Sequence, residues 1–128
     1  MTILDQFKLD GKVALVTGVG RGIGQAAALG LAEAGADIAG LYHRRYEETQ
    51  RQVEAQGKRF GPVACDLLAA AVAQLDAVVT QVIDEFGRLD ILVNNAGMIY
   101  RRPAIKFNEQ AWDEVIQVNL KALFFLSQ

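Results

Sequence analysis

Apolar and polar positions follow two rhythms along the 128 residues, and the switches between them mark the elements. Lys12-Val13-Ala14-Leu15-Val16-Thr17 is a short, nearly unbroken apolar run, as expected of a strand buried on both faces, and a glycine-rich turn from Gly18 to Gly24 follows at once. From Ile23 to Ala34 the chain is rich in Ala and Leu. This spacing predicts a helix with Ile23, Ala27, Leu31 and Ala34 on one face and Gly35 as its stop. A second strand is predicted from Asp37 to Tyr42. A polar helix follows from Glu47 to Gln56, with a Glu47/Arg51 pair one turn apart, closed by Gly57. The third strand is expected from Arg59 to Cys65, with Cys65 inside it as a small buried hydrophobe. Val72, Leu75, Val79, Val82, Ile83 and Phe86 then recur at three- and four-residue steps, predicting a helix over Ala69–Phe86 that stops at Gly87. Ile91–Asn94 reads as a fourth strand buried on both sides and leads into Asn95-Ala96-Gly97. A last helix is predicted from Asn108, its N-cap, to Gln128, with Phe107 and Trp112 placed for a hydrophobic staple and Trp112 assigned to the core.

Four strands alternating with four helices predict a parallel sheet covered by helices on both faces, with right-handed crossovers. At 128 residues, 52% of them hydrophobic, the chain suits a single domain over 1–128. Thirteen Lys and Arg against fifteen Asp and Glu give a net charge of -2, which offers no basic surface for nucleic acid or an anionic membrane. Any phosphate binding must therefore be local. A lone cysteine, no signal-type apolar stretch in Met1–Leu9 and no run of ~20 apolar residues lead to the expectation of a cytoplasmic protein. No His/Cys cluster or paired-carboxylate spacing supports a metal site, and His43 stands alone.

Thr17-Gly18-Val19-Gly20-Arg21-Gly22-Ile23-Gly24 lies between a predicted strand and a predicted helix, the context in which glycines let backbone N–H groups approach a pyrophosphate at the positive end of a helix dipole. The alternative is a merely tight strand-to-helix connection. With Asn94-Asn95-Ala96-Gly97 at a strand end, Leu9-Asp10-Gly11-Lys12 entering the first strand, Cys65-Asp66-Leu67 ending the third and Asn119 in the last helix, the sequence resembles the short-chain dehydrogenase/reductase family over essentially its whole length. The resemblance implies a Rossmann-type three-layer αβα sandwich with strand order 3-2-1-4, reaching no further than the fourth strand. It implies a cofactor site built from Thr17, Gly18, Gly20, Arg21, Gly22, Ile23 and Gly24, from Tyr42, His43 and Arg44, from Cys65, Asp66 and Leu67, and from Asn94, Asn95, Ala96 and Gly97. Within that set Gly18, Gly22 and Gly24 would lie under the phosphates, Asp66 would meet the adenine, and Asn94, Ala96 and Gly97 would flank the ribose. Asp66 has a second reading as N-cap of the following helix.

An NAD-selective site usually ends its second strand in a carboxylate, whereas this chain has Tyr42 followed by His43, Arg44 and Arg45. Guanidinium groups can pair with a 2′-phosphate, and Arg21 joins them in the family's NADP-dependent members, so NADP(H) is the preferred cofactor and NAD(H) the alternative. The same arginines also suit a solvated cluster at a helix entry. The family moves hydride between nicotinamide and a carbonyl or alcohol carbon, using a serine and a Tyr-x-x-x-Lys pair. Here the residues four beyond Tyr42, Tyr46 and Tyr100 are Tyr46, Gln50 and Ala104, and Ser127 is not the family's serine. Of the family's catalytic set, only Asn119 is matched. Its amide, on a face with Val115 and Leu123, is either aimed at the site or a structural polar group. The isolated chain is therefore expected to lack turnover, and a non-catalytic nucleotide-binding or assembly fragment is the alternative. Among members of the family, Phe7-Lys8-Leu9, Arg101-Arg102 and Trp112 most resemble 2-deoxy-gluconate 3-dehydrogenases and gluconate 5-dehydrogenases, which implies a sugar-acid alcohol or ketone as substrate and an arginine for its carboxylate. A homodimer or homotetramer is also implied, with Leu120, Leu123, Phe124, Phe125 and Leu126 awaiting a packing partner.

Overall fold

The computed structural model describes residues 1–128. Strands β1 (Val13–Thr17), β2 (Asp37–Tyr42), β3 (Phe60–Ala64) and β4 (Ile91–Val93) form one parallel sheet in the order β3-β2-β1-β4. In the β1 register, Leu15 lies opposite Ala39 on one side and Leu92 on the other. Every residue of β1 is buried because both of its faces are covered. Leu15, Leu41 and Val63 enter a core closed by the helix α3 (Val72–Phe86) and the chain's last helical segments. Val16, Ile38 and Phe60 enter a second core under α1 (Gly22–Glu33) and α2 (Glu47–Ala55). This is a Rossmann-type α/β sandwich, and its parallel strands deliver all four C-terminal ends to one edge.

The element borders follow the chemistry, with corrections in the details. The buried face of α1 is Gly24, Ala28 and Ala32, one step round from the face expected from Ile23, Ala27, Leu31 and Ala34. Small residues win that face because they let the helix lie close to the sheet, and Ile23 is left 80% exposed. On α2 the ion pair is Glu48 with Arg51, while Glu47 accepts from the Tyr46 backbone N–H. α3 starts at Val72 instead of Ala69, its entry fixed by Gln74, whose side chain accepts from the Ala71 N–H at 2.7 Å. Leu75, Val78 and Val82 face inward, and Val72 and Ile83 do not. Cys65 lies just past β3 and is only partly buried.

Strand β4 departs most from expectation. Its three residues are half-buried instead of fully buried, because β1 is its only neighbour in the sheet. The start of β4 is tied to the start of β1 through Asp90, whose carboxylate accepts from the Val13 N–H and from both prongs of Arg88. The final helix is also interrupted. α4 (Glu109–Ile116) begins at Asn108, whose side chain accepts from Ala111 N–H at 2.8 Å as expected of an N-cap, yet Trp112 is 60% exposed and outside the core. A π-helical turn, Gln117–Lys121, then separates α4 from α5 (Ala122–Ser127). No helix is long and apolar enough to cross a membrane.

Candidate functional site

The strand ends enclose a cleft of about 580 Å³ lined by Gly18, Gly20, Arg21, Gly22, Ile23, Tyr42, His43, Arg44, Arg45, Asn95, Ala96 and Gly97. Its floor is the N-terminus of α1. Arg21 occupies the N-cap position without any side-chain cap bond, so the amides of Gly22, Ile23 and Gly24 have no acceptor within the chain and form the positive end of the helix dipole. Gly18 and Gly22 adopt left-handed φ values of 64° and 58°. Gly22 lines the cleft, and a Cβ there would meet nothing within 4 Å. A Cβ at Gly24 would instead lie 2.1 Å from the Gly18 carbonyl oxygen, which shows that this glycine closes the turn.

The loop is held by the other motif. Thr17 is 1% exposed, and its hydroxyl accepts from the Asn95 and Ala96 N–H groups while donating to the Val93 carbonyl. Asn95 returns its side-chain amide to the Thr17 and Gly18 carbonyls. The glycine loop and the Asn-Asn-Ala-Gly segment are therefore one hydrogen-bonded unit joining β1 to β4. The Thr17 hydroxyl spends its hydrogen bonds on that unit, while Asn95 also lines the cleft. The Leu67 side chain is buried in the core and its carbonyl accepts from Gln117. Ala96 and Gly97 line the cleft, whereas the amide of Asn94 turns away to the Ser127 hydroxyl.

Asp66 is not the N-cap of α3, which begins six residues later; its Oδ1 accepts from the Leu68 N–H in a tight turn. Its Oδ2 lies 3.6 Å from His43 Nε2. His43 also lines the cleft, so the pair joins it to an adjoining groove of about 460 Å³ that includes Cys65, Asp66, Ala69 and Gln74. Burial, reinforced by the Asp66 carboxylate, pushes the Cys65 thiol up, the wrong direction for a nucleophile. Tyr42 turns its ring onto Tyr46 at 4.3 Å between centroids, closing the side wall. Arg21, Arg44 and Arg45 take part in none of the ion pairs of the chain, so the lining of the cleft carries uncompensated positive charge.

Asn119 lies in the π-helical turn, a distortion that concentrates at functional sites and leaves no mark in hydrophobic periodicity. Its amide is committed on both atoms: Oδ1 accepts from the Met98 N–H at 2.9 Å and Nδ2 donates to the Met98 carbonyl at 2.8 Å. Gly97 eases that approach, since a Cβ there would lie a tight 3.1 Å from Asn119 Oδ1. Asn119 is thus a positioning residue for the segment after β4. Further along, Tyr100 donates its hydroxyl to Glu114, which raises the phenol and lowers the carboxyl, so both hold these forms at neutral pH. The Arg102 guanidinium lies 4.9 Å from the Tyr100 ring centroid, while Arg101 has no ion-pair partner. No group of three or more His, Cys, Asp or Glu side chains is placed to hold a metal ion.

An uncapped helix N-terminus at the carboxyl edge of a parallel sheet is the arrangement in which α/β proteins commonly bind nucleotides. The family model for short chain dehydrogenase matches residues 12–128, and the chain belongs to that family. It is 48% identical over 126 residues to 2-dehydro-3-deoxy-D-gluconate 5-dehydrogenase of Escherichia coli (strain K12), covering 98% of this chain and 49% of that protein. A short-chain type dehydrogenase/reductase from Mycobacterium marinum superposes with a TM-score of 0.93 at 30% identity, over 100% of this chain and 52% of that one. A short chain dehydrogenase from Burkholderia cenocepacia J2315, in complex with NADP, gives a TM-score of 0.88 at 37% identity over 94% and 50% of the two chains. The chain spans about half the length of the curated relatives it matches.

Proposed function

We propose that the cleft holds NADP(H), and that this chain forms the cofactor-binding part of an oxidoreductase acting on the alcohol or ketone of a sugar acid. The observation that carries the reading is the uncapped N-terminus of α1, whose amides lack acceptors and whose Gly22 and Ile23 line the cleft with Arg21, Arg44 and Arg45. A cradle in which a Cβ at Gly22 would have open space suits a diphosphate, and guanidinium groups without acidic partners suit a 2′-phosphate, which a carboxylate in their place would repel. Asp66 keeps one oxygen for the adenine amino group beside His43, and Ala96 and Gly97 flank the ribose. When bound, the nicotinamide supplies the hydride donor or acceptor. Asn119 acts on that chemistry only by fixing Met98 and the segment around it.

The preference for NADP(H) over NAD(H) is supported by these arginines and by the NADP held in the Burkholderia cenocepacia structure. The sugar-acid substrate is supported by the name of the Escherichia coli relative and by Arg101, whose guanidinium has no carboxylate of its own. No Tyr-x-x-x-Lys spacing occurs in the sequence, so the role of this chain is binding and orientation. Assembly as a homodimer or homotetramer would cover Leu120 and Phe124, both largely exposed.

Titration calorimetry with NADPH and NADH tests the reading. NADPH is expected to bind about tenfold or more tightly than NADH, the worth of charge-assisted hydrogen bonds to the extra phosphate. No binding of either nucleotide would contradict it, and equal affinity would remove the arginines from the account. Over a panel of sugar acids the chain is expected to show no alcohol-dependent reduction of NADP, and clear turnover would show that the reacting groups lie elsewhere in it.

A further inference from the structure

The second buried polar side chain of the fold, besides Thr17, is Thr49 on α2, fully enclosed. A threonine inside a helix can return its hydroxyl to a carbonyl three or four residues earlier. Thr49 does not: its Oγ1 donates to the carbonyl of Val19, thirty residues earlier and inside the glycine loop, at 2.9 Å. Val19 is itself buried and donates its own N–H to Leu41, the residue before Tyr42. One residue on, Gly20 packs so tightly against the basic corner that a Cβ there would lie 2.1 Å from the Arg45 carbonyl oxygen. The glycine loop is thus pinned on one side to α2 and pressed against the backbone that carries Arg44 and Arg45.

We infer that Thr49 is a positioning residue that holds the diphosphate loop and the Arg44–Arg45 corner in one fixed relation, so that discrimination between phosphorylated and unphosphorylated cofactor depends on its hydroxyl. The inference rests on the reading of the cleft as a dinucleotide site. A 2′-phosphorylated dinucleotide must reach both anchors at once, whereas its unphosphorylated counterpart needs only the loop. Loosening the pin therefore weakens the first ligand more than the second. A buried threonine that merely filled space would affect stability and leave the ratio alone.

The test compares the wild-type full chain with T49V, which keeps the shape and loses the donor, and T49S, which keeps the donor. Each is titrated with NADPH and NADH, with circular dichroism to confirm folding. T49V is expected to weaken NADPH about tenfold and NADH no more than about threefold, the range for losing one buried hydrogen bond, and T49S to restore the wild-type ratio. A lower melting temperature with both affinities unchanged would overturn the inference, as would an equal loss for both nucleotides. Should T49V fail to fold, T49C carries the test, since its thiol is a weak donor of similar size: a smaller unequal loss is expected, and an equal loss overturns the coupling. A wild-type chain that binds neither nucleotide overturns the dinucleotide reading and this inference with it, whereas normal wild-type binding with an unchanged ratio in the variants overturns the inference alone.

Discussion

The two flanks of β1 face different circumstances. Towards β2 and α1 the strands are buried, and their ends close around a cleft whose unpaired donors include the amides at the start of α1 and the guanidinium groups of Arg21, Arg44 and Arg45. Towards β4 the sheet stops: Ile91, Leu92 and Val93 are half-buried, and Phe124 on α5 is 58% exposed. Yet the Thr17 hydroxyl at the end of β1 grips Val93 and the segment after β4, and Asn95 answers at the Thr17 and Gly18 carbonyls, so the glycine loop is tied to the open flank. Packing alone therefore does not define the site. Hydrogen bonds carry its geometry across the sheet from the closed side to the open one.

The sharpest way to break the comparison is at Gly22. Gly22→Val puts a β-branched side chain at a left-handed φ and into the open cleft, so nucleotide affinity should fall at least about a hundredfold while stability falls by roughly 1–2 kcal/mol. Retained affinity, measured by calorimetry on the folded variant, would disconnect the glycine loop from binding. Next comes the Thr17 hydroxyl. Thr17→Val leaves the Ala96 N–H without its partner, while the Asn95 N–H and the Val93 carbonyl keep only each other, and should cost about 1–2 kcal/mol in urea denaturation. A cost below about 0.5 kcal/mol would mean that the two flanks are held together by other means. Arg44→Ala is a smaller change: NADPH should bind about tenfold more weakly and NADH as before.

On the open flank, Phe124→Glu places a charge among exposed apolar side chains. Sedimentation velocity should show less self-association than in the wild type, and an unchanged distribution would remove this face from any assembly. The smallest effect is acid sensitivity at the start of β4. Arg88 first, then the Val13 N–H, hold Asp90 down from an ordinary 3.8 to about 2. A carboxylate favoured by folding contributes stability above its unfolded pKa and loses it as pH falls from about 4 through 2. Asp90→Asn should therefore flatten the acid limb of the stability profile between those values and leave a constant deficit near neutrality.

Much of this was legible in the residues. The apolar run Val13–Val16 and the glycines after it placed β1, the turn and α1 to within a residue, because burial on both faces and positive φ leave direct marks on composition. Asn108 announced the start of α4 because its capping bond is local. What escaped were contacts between distant segments. Thr49, Asp90 and Gln117 look like ordinary polar residues of helices and turns, and only the fold brings them to Val19, Val13 and Leu67. The buried face of α1 is hidden from a hydrophobicity pattern because size decides it, and small residues are what a helix close to a sheet requires. The π turn at Asn119 was invisible because one extra residue per turn barely disturbs an apolar stripe.

The central claim is that the main-chain amides opening α1 receive a diphosphate. Amide chemical shifts of the isotopically labelled chain, followed during addition of NADPH, address it residue by residue. The account predicts that the resonances of Gly22, Ile23 and Gly24 move first and furthest, with His43 to Arg45 following and the outer face of α3 still. Shifts confined to other parts of the chain, or none at saturating nucleotide, would contradict it.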